Sequence, residues 1–368
     1  MRDSDVVVDS VDTAVFAVPT DAPEADGTFA WDATTLVLVT LRAGDEVGTG
    51  WTYGAAACAV VVRDQLAPVV EGHNVLDVPG AWHAMVRSLR NVGRPGIGGM
   101  ALSAVDLAMW DLKARLLDLP LHRLLGAVHD EIPVYGSGGF TTYDDVRLAE
   151  QLTGWVEQGI PRVKIKIGEG WGTRVDRDLD RVRQARSAIG DKTELYVDAN
   201  GGYTAGQAVR VARQLQDCDV RWFEEPVSSD DLSGLRQVRR QATADVTAGE
   251  YGYDLAYFQR MCSARAVDCL QVDVTRCGGI TELLRVAAVA ASYGLEVSGH
   301  CAPHLHLAAL TAVPNLRHLE WFHDHARIES MLFDGTLDPS GGKLSPAEDR
   351  AGHGLMPCHD RAERYRVL

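Results

Sequence analysis

The spacing of apolar positions changes twice along the chain. From Val6 to about Trp51 they gather in strand-like runs, VVVDSVDTAVFAV and TTLVLVTLRA, separated by the Pro/Asp/Gly-rich segment from Pro19 to Gly27. This predicts an antiparallel meander carrying a mobile loop. From Ala81 to Leu125 the period becomes helical, with Leu102, Val105, Met109, Leu112 and Leu116 recurring at three- and four-residue steps. Strands followed by helices predict an α+β domain over residues 1–130. Beyond Glu131 short apolar runs alternate with amphipathic stretches such as TAGQAVRVARQLQDC. The runs are Ile132 to Ser137, Arg162 to Ile167, Glu194 to Asp198, Trp222 to Glu225, Val246 to Glu250, Cys269 to Val274, Glu296 to His300 and His318 to Trp321. Their near-even spacing predicts an α/β parallel barrel over residues 131–330, since an open doubly wound sheet rarely sustains so many regular repeats. Residues 331–368, rich in Gly, Pro and Asp, are expected to return to the N-terminal domain.

Composition narrows the possible partners. A formal charge of −15 with no basic stripe argues against nucleic acid and anionic membrane surfaces. No apolar run approaches the roughly 20 residues that a membrane-spanning helix needs. The opening MRDSDVVVDSVD is acidic where a signal peptide carries a basic segment, so a cytoplasmic protein is expected. Seven scattered cysteines without a CxxC pair read as reduced thiols, neither a disulfide framework nor a zinc site. An anionic substrate would need local positive charge, which makes a bound cation worth seeking.

In a parallel barrel the active site forms at the carboxyl ends of the strands. Ionisable residues collect there: Lys164 and Lys166, Asp198 with Asn200, Glu224 with Glu225, Glu250, Asp273, His300 and Glu320. Charges at successive ends of buried strands are costly unless they serve one another or a ligand. Asp198, Glu224 and Glu250 fall on three consecutive strands at equal intervals, which aims them at one point. Oxygen ligands from separate rigid strands suit a hard divalent ion, Mg²⁺ before Mn²⁺, with Ca²⁺ fitting less well. Lys164 and Lys166 in VKIKI face the same side of a strand, so each ammonium should depress the other's pKa and leave one able to act as a base near neutral pH. Asp273 and His300 end neighbouring strands, where a carboxylate can hold an imidazole in one tautomer and raise its basicity. His300 is expected to face the lysine strand across a bound substrate.

VKIKI, VDAN, FEEP, AGE, QVDVTRCGG, SGH and HLEW, in that order and spacing, resemble the enolase superfamily and within it the mandelate racemase subgroup. The similarity spans nearly the whole chain, because the ALSAVDLAMWDLKAR helix is similar to part of that family's capping domain. The resemblance implies a modified TIM barrel, (β/α)7β, under an N-terminal α+β cap. It implies Mg²⁺ on Asp198, Glu224 and Glu250, with Lys166 and His300 as the acid/base pair and Asp273 orienting the imidazole. It further implies that Lys164 neutralises a substrate carboxylate, that Glu320 hydrogen-bonds its far oxygen, and that Asn200 is a polar contact of the same kind. The expected chemistry is removal of the proton beside a carboxylate to give an enediolate.

From there the outcome follows the substrate. A β-hydroxyl would leave as water, making the protein a dehydratase of a sugar acid, an aldonate or aldarate; this is the commonest activity in the subgroup and the one expected here. Racemisation or epimerisation of a 2-hydroxy acid and cycloisomerisation are the rivals, and a non-catalytic binding protein is the alternative from another class. The partners expected are a small carboxylate substrate and further copies of the chain in a homo-oligomer. Trp31, Trp51 and Tyr53 lie near the loops of the N-terminal domain, either lining the substrate pocket or packing in the core. GEGWG lacks the spacing of a dinucleotide loop, and His304 and His306 alternate with apolar residues as packed or loop histidines do.

Overall fold

The computed structural model describes residues 6–368. An antiparallel sheet is formed by β1 (Ser10–Ala25), β2 (Ala30–Ala43) and β3 (Glu46–Tyr53) in that order. The LVLV run of β2, Leu36 to Val39, is apolar without interruption because both faces are covered. Val37, Val39 and Leu41 pack with helix α1 (Ile97–Leu116), whereas Leu36 and Leu38 join the core shared with the barrel. Helix α1 lies so close to β3 that a Cβ on Gly50 would sit 2.4 Å from the Ala104 carbonyl oxygen. Its far side is tied to the barrel: the Thr281 backbone N–H and hydroxyl donate to Asp106 at 3.0 and 2.6 Å.

The Pro19 to Gly27 segment differs from the expected mobile loop. Strand β1 runs through it to Ala25, losing register between Pro19 and Glu24 and resuming at Glu24 opposite Trp31. Such a bulge accommodates the prolines, which lack a ladder donor, and re-aims the strand end. The hairpin tip is thereby thrust over the barrel mouth. Thr141 donates its backbone N–H to the Ala25 carbonyl at 2.8 Å, and Trp171 donates to Gly27 at 3.0 Å. Gly27 meets the loop so tightly that a Cβ would lie 2.5 Å from the Ile167 oxygen.

The barrel strands are β4 (Ile132–Gly138), β5 (Arg162–Lys166), β6 (Glu194–Asp198), β7 (Val220–Glu224), β8 (Asp245–Ala248), β9 (Cys269–Val272), β10 (Glu296–Gly299) and β11 (Leu316–Phe322). All neighbours pair in parallel, and β11 closes on β4 through Leu319 to Phe322 opposite Val134 to Ser137. Helices lie between consecutive strands, the last of them Pro303–Thr311, giving the modified TIM barrel under a cap. Inside, Tyr135, Tyr196, Trp222 and Cys269 form an aromatic layer with His318, Tyr196 stacking on Trp222 at 5.5 Å. After the helix His323–Leu332 the chain pairs Lys343 and Leu344 antiparallel to β4, then exchanges backbone hydrogen bonds between Val15 and Val367 and Leu368. Among the described residues no helix is long and apolar enough to cross a membrane.

Candidate active site

Strand register sets the site. Lys166 is paired with Asp198, and Asp198 with Glu224, so three neighbouring strands hold these groups at one level. Glu250 follows β8 by two residues, past Gly249, whose φ of 137° fits glycine alone. Asn200, Glu225, Cys301 and Ala302 also have positive φ, at 45°, 35°, 52° and 37°, and all four sit just beyond strand ends. Backbone strain of this kind persists only where surrounding structure enforces it.

Ligand atoms of Asp198, Glu224 and Glu250 lie within 4.8 Å of one another, and all three residues are buried. Lys164 Nζ reaches Glu224 Oε1 at 2.6 Å and Glu320 Oε1 at 2.7 Å; Lys166 Nζ reaches Asp198 Oδ2 at 2.5 Å. His300 Nδ1 donates to Asp273 Oδ2 at 2.9 Å, leaving Nε2 3.3 Å from Glu250 Oε2. Arg276 lies 3.4 Å from both Glu250 and Asp273.

Negative charge exceeds positive here. Asp198, Glu224, Glu225, Glu250, Asp273 and Glu320 are buried around Lys164, Lys166 and Arg276. Burial and nearby carboxylates push Glu224 up to about 8 and hold Glu225 well above the usual range. Glu225 Oε1 and Glu250 Oε2 are buried without a hydrogen-bond donor. Crowded carboxylates with orphaned oxygens fit a hard divalent cation.

The lysines depart from the expected mutual depression. Burial favours a neutral Lys166 and Lys164 repels its charge, but Asp198 and Glu224 outweigh both and raise its pKa. Lys164 is raised likewise, by Glu224 and Glu320 against burial. Burial would also raise Glu320, yet Lys164 and His300 hold it well below the ordinary carboxylate range. Both its oxygens already accept donors, from Ser137 Oγ at 2.6 Å and the Cys301 N–H at 3.0 Å. For His300, burial is outweighed by Glu250, Glu320 and the Asp273 hydrogen bond, so its pKa rises.

A cavity of about 480 Å³ opens above these groups, between the barrel mouth and the hairpin tip. Lys166, Asn200, Glu250 and His300 line it, as do Trp31 and Tyr53 from the cap. Asp198, Glu224, Lys164, Asp273 and Glu320 lie behind that surface, each at most 1% exposed. His300 and Lys166 are separated around the wall by β4 and β11 and meet the same cavity. Trp51 does not reach it; the ring stacks on Phe333 at 4.2 Å in the core. His304 and His306 are buried, His304 donating to Glu329 Oε2 at 2.5 Å and His306 Nε2 accepting from the Val274 N–H at 2.9 Å.

Sequence reasoning missed Tyr251, Arg276, Cys301 and His325 as lining residues. Arg276 and Cys301 adjoin Asp273 and His300 in sequence, a signal that could have found them. A second cavity of about 580 Å³, between the outer cap sheet and the C-terminal segment, has no comparable acid/base grouping.

Residues 10–126 match the family described as mandelate racemase/muconate lactonizing enzyme, N-terminal domain, and residues 147–361 match the enolase C-terminal domain-like family. The chain belongs to the enolase superfamily. A mandelate racemase/muconate lactonizing enzyme-like protein from Rubrobacter xylanophilus is 49% identical, with a TM-score of 0.95 over 98% of this chain and 100% of that one. The 3,6-anhydro-alpha-L-galactonate cycloisomerase of Streptomyces coelicolor is 31% identical over 90% of this chain and 91% of its own length. The L-talarate/galactarate dehydratase of Salmonella typhimurium is 29% identical over 90% of this chain and 83% of its own. Its structure, liganded with Mg and L-lyxarohydroxamate, has a TM-score of 0.89 at 26% identity, covering 98% of this chain and 93% of that one.

Proposed function

We propose that this superfamily member is a Mg²⁺-dependent dehydratase of a sugar acid, yielding a 2-keto-3-deoxy acid. The observation that carries the reading is one cavity lined by Lys166 and an Asp273-held His300, beside three converging carboxylates. The Salmonella and Streptomyces relatives, which act on sugar acids by dehydration and cycloisomerisation, support it.

Asp198, Glu224 and Glu250 would hold the ion, which when bound supplies positive charge to the substrate carboxylate and its developing dianion. With Asp198, Glu224 and Glu250 facing the ion, the groups that most favour the charged Lys166 are engaged elsewhere, while burial and the repulsion of Lys164 favour the neutral amine. Lys166 Nζ then takes the α-proton. Lys164, behind the cavity wall and 5.3 Å from the Tyr135 ring centroid, opposes the growing negative charge through its field. Asp273 keeps the Nδ1 proton of His300 in place, so Nε2 presents a proton to the departing β-hydroxyl. The C–O bond breaks as that proton arrives, water leaves, and the enol tautomerises to the keto acid.

A sugar-acid library incubated with Mg²⁺ and assayed for 2-keto acid, with α-proton exchange followed in D₂O, tests this. Keto acid supports dehydration; exchange without it would replace dehydration by racemisation or epimerisation.

A further inference from the structure

We propose that the site takes an aldonate, a sugar acid with a single carboxylate, and discriminates against the corresponding aldarate, with Asp26 as the specificity-determining residue. This rests on the dehydratase reading and goes beyond it by choosing between the two kinds of sugar acid.

A second carboxylate needs a second cation, because burying an unpaired carboxylate is costly and paired ones are held by Arg or Lys. The basic side chains that line the cavity are Lys166, Arg276, His300 and His325. Lys166 lies 2.5 Å from Asp198 and serves as the neutral base once Asp198 holds the ion, and His300 pairs with Asp273 at 2.9 Å. Arg276 bridges Glu250 and Asp273 and lies 5.3 Å from the Tyr251 ring centroid. His325 accepts the Ala302 N–H at 3.2 Å and stacks on Tyr53 at 3.4 Å; burial pushes its pKa down to about 3, so it is neutral. Every cation is thus committed at the chemical end, and the remaining basic ring is uncharged.

The cap side of the cavity is largely aromatic. Tyr53 donates its hydroxyl hydrogen to Glu329 Oε1 at 3.1 Å, and Trp31 Nε1 donates to Glu24 Oε2 at 2.8 Å. Their polar ends are therefore engaged elsewhere, and with Phe29 and Phe322 they offer the cavity ring surface. The ionisable group contributed by the hairpin tip is Asp26. Its Oδ1 accepts from Thr28 N at 2.5 Å, Thr28 Oγ1 at 3.0 Å and Phe29 N at 2.7 Å, which fixes the turn. Among the described residues no donor falls on Oδ2. A carboxylate so held accepts sugar hydroxyls and repels a second carboxylate.

The test compares binding of C5 and C6 aldonates with aldarates of the same configuration, by calorimetry on Mg²⁺-loaded protein. Wild type should bind at least one aldonate about tenfold or more tightly than its aldarate, the scale of one like-charge contact. Asp26→Asn, which retains the turn-forming acceptor, should narrow that ratio about tenfold by improving aldarate binding. Ala33→Arg, which adds a cation to the cap wall, should do the same in a protein whose turn is untouched. Equal or tighter aldarate binding by wild type, no binding of any aldonate, or an unchanged ratio in Asp26→Asn would overturn the proposal, whatever Ala33→Arg does. Keto-acid production judges the dehydratase reading separately: an aldonate that binds preferentially without forming keto acid sinks dehydration and leaves the charge selectivity standing.

Discussion

His300 Nδ1 lies 2.9 Å from Asp273 Oδ2, and the same carboxylate accepts the Thr275 N–H and hydroxyl at Oδ1, both at 2.7 Å. The imidazole is thereby fixed in tautomer and in aim. Asp273→Asn should fold normally but cut kcat by about 100-fold or more, the usual scale of a lost acid/base partner. Steady-state kinetics beside a thermal melt checks this; near-wild-type turnover would remove Asp273 from the mechanism.

Lys166→Ala and His300→Asn should each lower turnover by about a thousandfold within the usual range for acid/base groups. Thermal unfolding should show both variants folded, since each has carboxylate neighbours that a divalent ion can compensate. Wild-type rates in either variant on the true substrate would defeat the assignment.

EDTA should abolish activity and Mg²⁺ should restore it. The ion should also raise Tm, because a ligand held only by the folded state at a hundredfold its Kd adds about 2.7 kcal/mol. Glu224→Gln should lose that thermal shift, which can be read without any substrate.

Glu24 is 1% exposed, and burial with the Asp324 charge beside it pushes its carboxyl from 4.5 up to about 8. Between those values the folded chain keeps a proton that the unfolded chain has lost, so this group's contribution to stability falls as pH rises and is lowest above about 8. Glu24→Gln should unfold at a higher temperature than wild type at pH 9, with the difference shrinking toward pH 4. Melting curves across that range decide it; a gap that does not vary with pH would contradict the linkage.

Gly50→Ala should destabilise the cap by about 1–3 kcal/mol, the ordinary penalty of overpacking. The added methyl would meet the Ala104 carbonyl oxygen on helix α1. Chemical denaturation measures the loss.

Much of the architecture could be read from the amino-acid order because parallel strands are buried on both faces. Polar residues at their ends then stand out, and Lys166, Asp198 and Glu224 fall at adjacent register positions. The hairpin tip was hidden, since a bulge between Pro19 and Glu24 looks locally like a loop and only tertiary contact carries the strand on to Ala25. Trp51 and Tyr53 point to one side of β3 by alternation, and nothing local says that one stacks on Phe333 and the other on His325. The Lys166 charge state was likewise invisible, because it depends on how near Asp198 approaches.

The bulged hairpin separates two kinds of evolutionary freedom. Asp26 and Phe29 come to the barrel mouth on a turn organised by its own hydrogen bonds, while the proton-handling groups are anchored in strand ends beneath it. Replacements at the tip can therefore retune which molecules are admitted without dismantling the reaction centre, so a graft of a few residues there is the economical route to new selectivity.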